Sequence, residues 1–306
     1  MNSNFLGEKL YFYKVFGLTL RSNGLLINGL EKITKVETPN IKISLKHNKL
    51  WPKQIGIKFK DKYSEISDNQ IKLIIPNVAN FFIFNGEHIL IDKSLKYNIK
   101  DNLIETYLLG SAIGALLIQK GYLLFHGNAL EKDGKAVVCL GDSGVGKSTL
   151  AYILMKNGWN LISDDLVAID TNQNVLPGIP RIKLWQDAIN FFEIDTNKLT
   201  KVAKGYDKFV IPRENIFYSF KKAKIDKFFV LGRNNLEEIH SNQICSKKDC
   251  LISLINNYYR PNFVKHLNCE EKNFLLVNKL INSLPIYKLY LPNNLRIVDD
   301  FVCKFF

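Results

Sequence analysis

Gly141-Asp142-Ser143-Gly144-Val145-Gly146-Lys147-Ser148-Thr149 fills every fixed position of the pattern G-x-x-x-x-G-K-[ST]. Ahead of it, Ala136-Val137-Val138-Cys139-Leu140 is a short apolar run of the kind that forms a buried strand. Behind it, Leu150, Ile153 and Leu154 recur at helical spacing. Strand, glycine loop and helix in that order make a phosphate-binding P-loop. The three glycines let the backbone curl into a nest of N–H groups, and the helix N-terminus adds roughly half a positive charge. In such a loop Gly141 to Thr149 surround the polyphosphate, Lys147 reaches the β- and γ-phosphates, and the Ser148 hydroxyl serves Mg²⁺. A chain built this way binds a nucleoside triphosphate, with ATP the expected one.

At 306 residues and 46% hydrophobic, the chain can bury a substantial core and has room for two domains, or for one with a large extension. The longest apolar stretch, Tyr107 to Ile118, is interrupted by Gly110, Ser111 and Gly114 and falls short of the ~20 residues a bilayer span needs. It reads as a buried helix, and no membrane partner is expected. The segment Met1 to Glu8 lacks the basic and apolar regions of a secretion signal, so the expected location is the cytoplasm. Cysteines 139, 245, 250, 269 and 303 are scattered and lack C-x-x-C spacing, which argues for reduced structural thiols over disulfides or zinc. The net charge of +13 would favour an acidic partner. Lysines are nevertheless spread along the whole chain, as coding bias alone would give, and no nucleic-acid recognition motif is present.

From Tyr11 to Lys93 the pattern is mainly alternating, as in Ile41 to Lys46 and Gln54 to Phe59, and predicts an antiparallel β-rich region. Asn85-Gly86 between Phe81–Phe84 and His88–Ile91 predicts a two-residue hairpin. A helix from about Asn102 to Gln119 follows and is read as opening a second region. The expected division is therefore 1–99, an accessory or acceptor-recognition region, and 100–306, the catalytic region. Tyr122 to Leu130 and the strand before the P-loop read as a hairpin, and Asn157-Gly158 as the end of the P-loop helix. Segments 247–257 and 271–283 read as amphipathic helices that cover the sheet or form an oligomer interface. Core packing is the default for the aromatic pairs Phe191-Phe192, Phe228-Phe229, Tyr258-Tyr259 and Phe305-Phe306.

Trp159 to Ser163 reads as a strand ending in Asp164-Asp165, followed by the apolar run Leu166 to Ile169. Asp-Asp is common in solvated turns. Placed ~17 residues after a P-loop lysine, though, a carboxylate pair meets the needs of phosphoryl transfer: one group for the metal, one to accept a hydroxyl proton. The spacing does not sort the two.

The string from Phe125-His126-Gly127 through GDSGVGKST to Leu161-Ile162-Ser163-Asp164-Asp165 resembles the catalytic domain of HPr kinase/phosphorylase. More closely, it resembles the HPr-kinase-like serine kinases of peptide-modification systems, the lasso-peptide precursor kinases in particular. Pro177 to Trp185, Asp207 to Pro212 and Pro285 to Leu291 add to the likeness, which covers roughly 100–300 and is strong over 123–185. The resemblance implies an α/β P-loop fold of the HPr kinase/phosphoenolpyruvate carboxykinase type, here with an N-terminal β-rich region. It also implies roles: phosphate binding by Lys147, Mg²⁺ at Ser148 and Asp165, Asp164 as general base toward a serine hydroxyl, and His126 as an orienting group.

Two departures bear on the acceptor. Thr149 stands where HPr kinases carry an acidic residue, and their glycine- and arginine-bearing segment, which couples to HPr and to phosphorolysis, has no counterpart. The expectation is a kinase for a serine hydroxyl of a peptide or protein, most simply a lasso-type precursor. An HPr-type carrier-protein kinase and a non-catalytic nucleotide switch are the alternatives. Of the basic residues that follow the carboxylates, Arg181, Lys183, Lys208 and Arg213, the family-like context singles out Arg181 and Lys208 as partners for the transferred phosphoryl group or an acidic acceptor.

Overall fold

Alternating and continuous apolar runs sort this chain into two kinds of sheet. The structure, a computed structural model, describes residues 9–36, 38–93, 101–197, 199–202, 205, 207–234, 238–244 and 246–305, with side chains for all but 48, 101, 102 and 303–305. The expectations for Met1 to Glu8, Cys245, the Cys303 thiol and the Phe305-Phe306 pair lie outside the described residues. The chain divides into two compact units, 1–121 with 260–270, and 122–259 with 271–306.

In the first unit the alternating segments form β1 (Leu10–Val15), β2 (Leu18–Asn23), β3 (Glu31–Lys32), β4 (Ile41–Leu45), β5 (Phe59–Lys60), β6 (Ser64–Ser67), β7 (Gln70–Ile75), β8 (Ala79–Phe84) and β9 (His88–Lys93). They make one sheet in the order β3-β1-β2-β4-β9-β8-β7-β6-β5. It is not purely antiparallel: β4 runs parallel to both β2 and β9. Residues 54–58 do not join the sheet despite their alternation; Ile55 and Ile57 are exposed, and Gly56 takes a left-handed turn. Alternation makes a strand only where a neighbouring strand is available to bury one face. Asn85 and Gly86 both adopt positive φ, and Glu87 N–H closes the turn on the Phe84 carbonyl at 3.2 Å, but the ladder pairs Phe84 with His88, so the loop holds three residues, Asn85 to Glu87, and not the predicted two.

The predicted buried helix is present as α1 (Asp101–Tyr107), a π-helical turn (Leu108–Ala112) and α2 (Ile113–Gln119), with Leu108, Leu109 and Ala112 to Ile118 in the core. It belongs to the first unit, whereas the sequence reading has it open the second region. Glu105 on α1 is buried, and its carboxylate accepts the backbone N–H groups of Asn28 at 3.0 Å and Gly29 at 2.8 Å. The short α6 (Pro261–His266) completes this unit.

The second unit is built on β10 (Leu123–Lys132), β11 (Lys135–Leu140), β12 (Asn160–Ile169), β13 (Asn174–Val175), β17 (Ala223–Arg233), β18 (His240–Gln243) and β19 (Ile286–Leu291). Their order is β11-β10-β12-β13-β17-β19-β18, and β11 also pairs in parallel with β17, which closes the first five strands into a ring. A smaller sheet joins β14 (Ile182–Trp185), β16 (Lys208–Ile211) and β15 (Thr200–Lys201).

Strands covered on both faces read as unbroken apolar runs. One face of β10–β12 packs with α3 (Lys147–Lys156), α4 (Gln186–Phe191), α8 (Leu295–Phe305) and the inner residues Ile182, Leu184, Phe209 and Ile211 of the smaller sheet. The other packs with α5 (Lys247–Ile255) and α7 (Glu270–Ser283), through Cys250, Leu254, Val277 and Leu280. These two helices therefore cover the sheet. Phe228 and Phe229 are core residues, and Cys139, Cys250 and Cys269 are in no disulfide among the described residues. No helix among the described residues is long and apolar enough to cross a membrane.

Candidate active site

The P-loop forms where the motif places it, between β11 and α3. Gly141, Gly144 and Gly146 take φ values of +138°, +83° and +104°, a backbone that side chains disfavour. At Gly141 a Cβ would also meet the Leu231 carbonyl at 2.8 Å, so the loop cannot begin with any other residue unless the backbone shifts. Asp142, Ser143 and Gly144 face solvent, while Val145 anchors the loop in the core beside Leu150. Gly146 caps α3, and Thr149 is half-buried on its first turn. The helix ends as expected, with Gly158 at φ +85°.

Lys147 is buried, and its ammonium donates to the carbonyls of Gly141 at 2.6 Å and Asp142 at 2.9 Å. Burial pulls its pKa down; the negative charges of Asp164 and Asp165 oppose that pull. The carboxylates lie on β12, in mid-strand and not at a strand end: β12 runs unbroken from Asn160 to Ile169. The reason is that β10 pairs with it throughout, Gly127 opposite Asp165 and Asn128 opposite Asp164.

Successive side chains on a regular strand point to opposite faces. Asp165 escapes that rule with φ +68°. Both carboxylates then reach one residue, Lys183 on β14. Its backbone N–H donates to Asp164 Oδ2 at 3.0 Å, and its ammonium pairs with Asp165. The other Asp164 oxygen accepts the Ser148 hydroxyl at 3.1 Å. The hydroxyl expected to share a metal with Asp165 therefore lies on Asp164.

The two acids diverge electrostatically. Burial, and then the neighbouring charge of Asp165, push Asp164 up to about 6. Asp165, although desolvated, is held down at about 2 by the Lys183 ammonium. His126 Nδ1 lies 3.2 Å from the Asp165 backbone carbonyl, which can only accept, so Nδ1 carries the proton. Burial and the Lys147 charge lower the His126 pKa, which favours the neutral ring. It clamps the backbone at the left-handed residue. Gly127, next along, allows β10 and β11 to approach: a Cβ there would sit 2.5 Å from the Cys139 carbonyl.

Of the basic residues flagged in the sequence, Lys208 faces this site, since its charge acts on Asp164, Asp165, Lys147 and His126. Its ammonium lies 5.5 Å from the centroid of the exposed Trp185 ring. Arg181 precedes β14, its backbone N–H bonded to the Ile179 carbonyl at 2.8 Å, and Arg213 packs on Phe220. Lys183 matters more than its sequence context suggested. The available signal was the alternation Ile182-Lys183-Leu184-Trp185, which sends Lys183 to the face opposite the core.

Two further residues gave no sequence signal. Asn257, just past α5, accepts the Gly141 N–H on its side-chain oxygen at 2.7 Å and the His126 N–H on its carbonyl at 2.9 Å, tying loop to strand. Arg233, at the end of β17, puts Nη2 within 3.2 Å of where a Gly146 Cβ would stand.

The donor set fits a magnesium nucleotide. The glycine cradle tolerates no side chain at its first position, and Ser148 with Asp164 offers hard oxygen donors. No group of three or more His, Cys, Asp or Glu residues arranged for a metal is found among the described residues. Magnesium requires none, because it usually takes one or two protein carboxylates and completes its shell with phosphates and water.

No protein-family model matches the chain. Among curated proteins it is similar to the HPr kinase/phosphorylase of Clostridium botulinum (strain Eklund 17B / Type B), 27% identical over 175 residues, covering 50% of this chain and 57% of that one. The corresponding protein of Clostridium beijerinckii is 25% identical over 178 residues, covering 52% and 59%. That of Pediococcus pentosaceus is 46% identical over a shorter 59 residues, 19% of each chain. The chain thus spans a little under three-fifths of the first two relatives. Among solved structures, the Hpr(Ser) kinase/phosphatase from Coxiella burnetii aligns with 58% of this chain and 93% of its own at 13% identity and a TM-score of 0.29, too low to bear on the site.

Proposed function

We propose that this chain is an ATP- and Mg²⁺-dependent phosphotransferase that phosphorylates a serine-type hydroxyl of a peptide or protein. The observation that carries the proposal is the contact between the P-loop hydroxyl of Ser148 and a buried carboxylate, with a second carboxylate beside it under lysine control. The similarity to HPr kinase/phosphorylases over half the chain supports the same reaction class. Bound MgATP would supply the γ-phosphoryl group and the divalent charge that offsets its oxygens.

The loop amides and Lys147 bind the phosphates. Ser148 and Asp164 hold the metal, a reversal of the expected division between the acids. Asp164 is buried with no ammonium paired to it directly among the described residues, and its raised pKa marks a site where a cation would stabilise the ionised form. Asp165 stays ionised against Lys183 and accepts the proton of the acceptor hydroxyl, its backbone fixed by His126. Lys183 and Lys208 steady the transferred group and an acidic acceptor. Positioning and charge carry most of the acceleration in such a site.

For the acceptor we place a ribosomally made, lasso-type precursor peptide ahead of HPr, on Thr149 and the missing HPr-coupling segment. The first unit is proposed to recognise the acceptor. Transfer from γ-labelled ATP to a panel of serine-ended peptides and to HPr tests this. Label on a peptide, lost in Asp165→Asn, is the expected result. Label on HPr alone moves the acceptor to a carrier protein, and retention of ATP without transfer to any acceptor favours a nucleotide switch or an acceptor outside the panel.

A further inference from the structure

Beneath the P-loop helix lies a polar side chain that neither the core nor the site as described accounts for. Asn128 on β10 is fully buried, and neither its amide nitrogen nor its amide oxygen has a hydrogen-bond partner among the described residues. Buried carboxamides are almost always paired, because an unmade hydrogen bond costs the full desolvation of the group. An apolar residue would suit the position better as packing.

The place of Asn128 in the ladder says what it serves. Directly opposite it on β12 is Asp164, and on β11 Cys139. Residues directly opposite in an antiparallel pair carry their Cβ atoms about 5 Å apart on the same face. Along β10, Phe125 and Ala129 pack toward α5 and α7, whereas Leu130 packs with Leu150 and Leu154 of α3. Asn128, of the same parity as Leu130, shares the α3 face. The Asp164 carboxylate is on that face too, since it accepts the Ser148 hydroxyl of α3. The unpaired amide is therefore aimed at the root of the metal-binding pair.

We propose that Asn128 is a positioning residue for Asp164: its side-chain N–H takes over the carboxylate oxygen that Ser148 releases when the hydroxyl turns to the metal. Ser148 donates to that oxygen here, and the amide has no partner among the described residues. With the nucleotide bound, the amide would hold the carboxylate in one orientation while both metal ligands face the cation. The inference rests on the metal role proposed above for Ser148 and Asp164, and does not depend on what the acceptor is.

A pair of substitutions equal in shape and different in one hydroxyl separates this from packing: Asn128→Val and Asn128→Thr, both well suited to a strand. The readout is Mn²⁺ uptake in the presence of a non-hydrolysable ATP analogue, followed by the electron paramagnetic resonance of free Mn²⁺, with analogue affinity measured without metal as control. Outer-shell partners of metal ligands typically contribute 10- to 100-fold to metal affinity. Asn128→Val is expected to weaken Mn²⁺ uptake about tenfold or more, with metal-free analogue affinity unchanged, and Asn128→Thr to stay within about threefold of the original protein. Wild-type Mn²⁺ uptake in Asn128→Val, an equal loss in both variants, or failure of both to fold would each overturn the proposal. If the original protein takes up Mn²⁺ and nucleotide but labels no acceptor, the kinase reading falls while this one stands.

Discussion

Glu105 in the first unit and Asp164 in the second are buried to the same extent, 8% and 7% exposed, yet they do opposite things. Glu105 closes a local structure: both of its oxygens are taken by the backbone N–H groups of Asn28 and Gly29. Asp164 also has two donors, but it shares its pocket with Asp165 and is driven up to about 6. Burial alone thus distinguishes nothing. A carboxylate whose donors suffice is architecture, and one left short of positive charge beside the P-loop hydroxyl is where the metal proposed above would stabilise the ionised form.

The largest expected effect tests the reactive side of this contrast. Asp165→Asn should lower the rate of phosphoryl transfer about 10³-fold, within the range for loss of a general base, while leaving MgATP affinity within about threefold. Steady-state kinetics beside nucleotide titration would check it; an equal loss in affinity would make Asp165 a ligand instead. Next in size, Gly141→Ala should weaken nucleotide binding roughly tenfold or more, because its Cβ collides with the Leu231 carbonyl and its φ of +138° is strained. Unchanged affinity by calorimetry would mean that the loop re-forms around the methyl group.

Removing Glu105 sharpens the architectural side. Glu105→Ala should cost about 1.5–3 kcal/mol of stability, the worth of hydrogen bonds to a charged group, with nucleotide affinity intact. Denaturant unfolding measures the first and titration the second. A fall in nucleotide affinity would blur the contrast.

The smallest effects concern pH in the metal-free protein, and the two aspartates should behave oppositely. The folded value of Asp164, about 6, lies above its ordinary 3.8, so its ionisation destabilises the fold increasingly from pH 4 to pH 6 and fully above that. Asp164→Asn should then melt on the order of 2–4 °C higher than the original protein at pH 7.5 and together with it near pH 4. Asp165, held at about 2, stabilises the fold above its ordinary 3.8 and loses that contribution as pH falls through 2. Lys183→Met should therefore lower the melting temperature at neutral pH. Melting curves at the two pH values decide both, and shifts of the same sign would break the division between the acids.

What could be read before folding was whatever depends on neighbours in sequence. The P-loop, the end of α3 at Gly158, the Asn85-Gly86 turn and the buried helix 101–119 all follow from local backbone preference and periodicity. Elements that need a partner were less legible. Gln54 to Phe59 alternates as well as Ile41 to Lys46 does, but only the latter found strands on both sides. Lys183 reaches the site from β14 with only its place in an alternating run to mark it, and Asn257 and Arg233 arrive from two other elements with nothing in their own neighbourhoods to announce it.

By itself, then, the sequence determined that this chain carries a G-x-x-x-x-G-K-[ST] glycine loop followed by two acids, because both are written in consecutive residues. Only the tertiary structure decided how those acids differ. A left-handed Asp165 turned both carboxylates to one lysine, and β10 laid His126 and Asn128 beside them. The physical reason is that ionisation answers to burial and to charges within a few ångströms, and those distances come from strand register, which sequence separation does not encode.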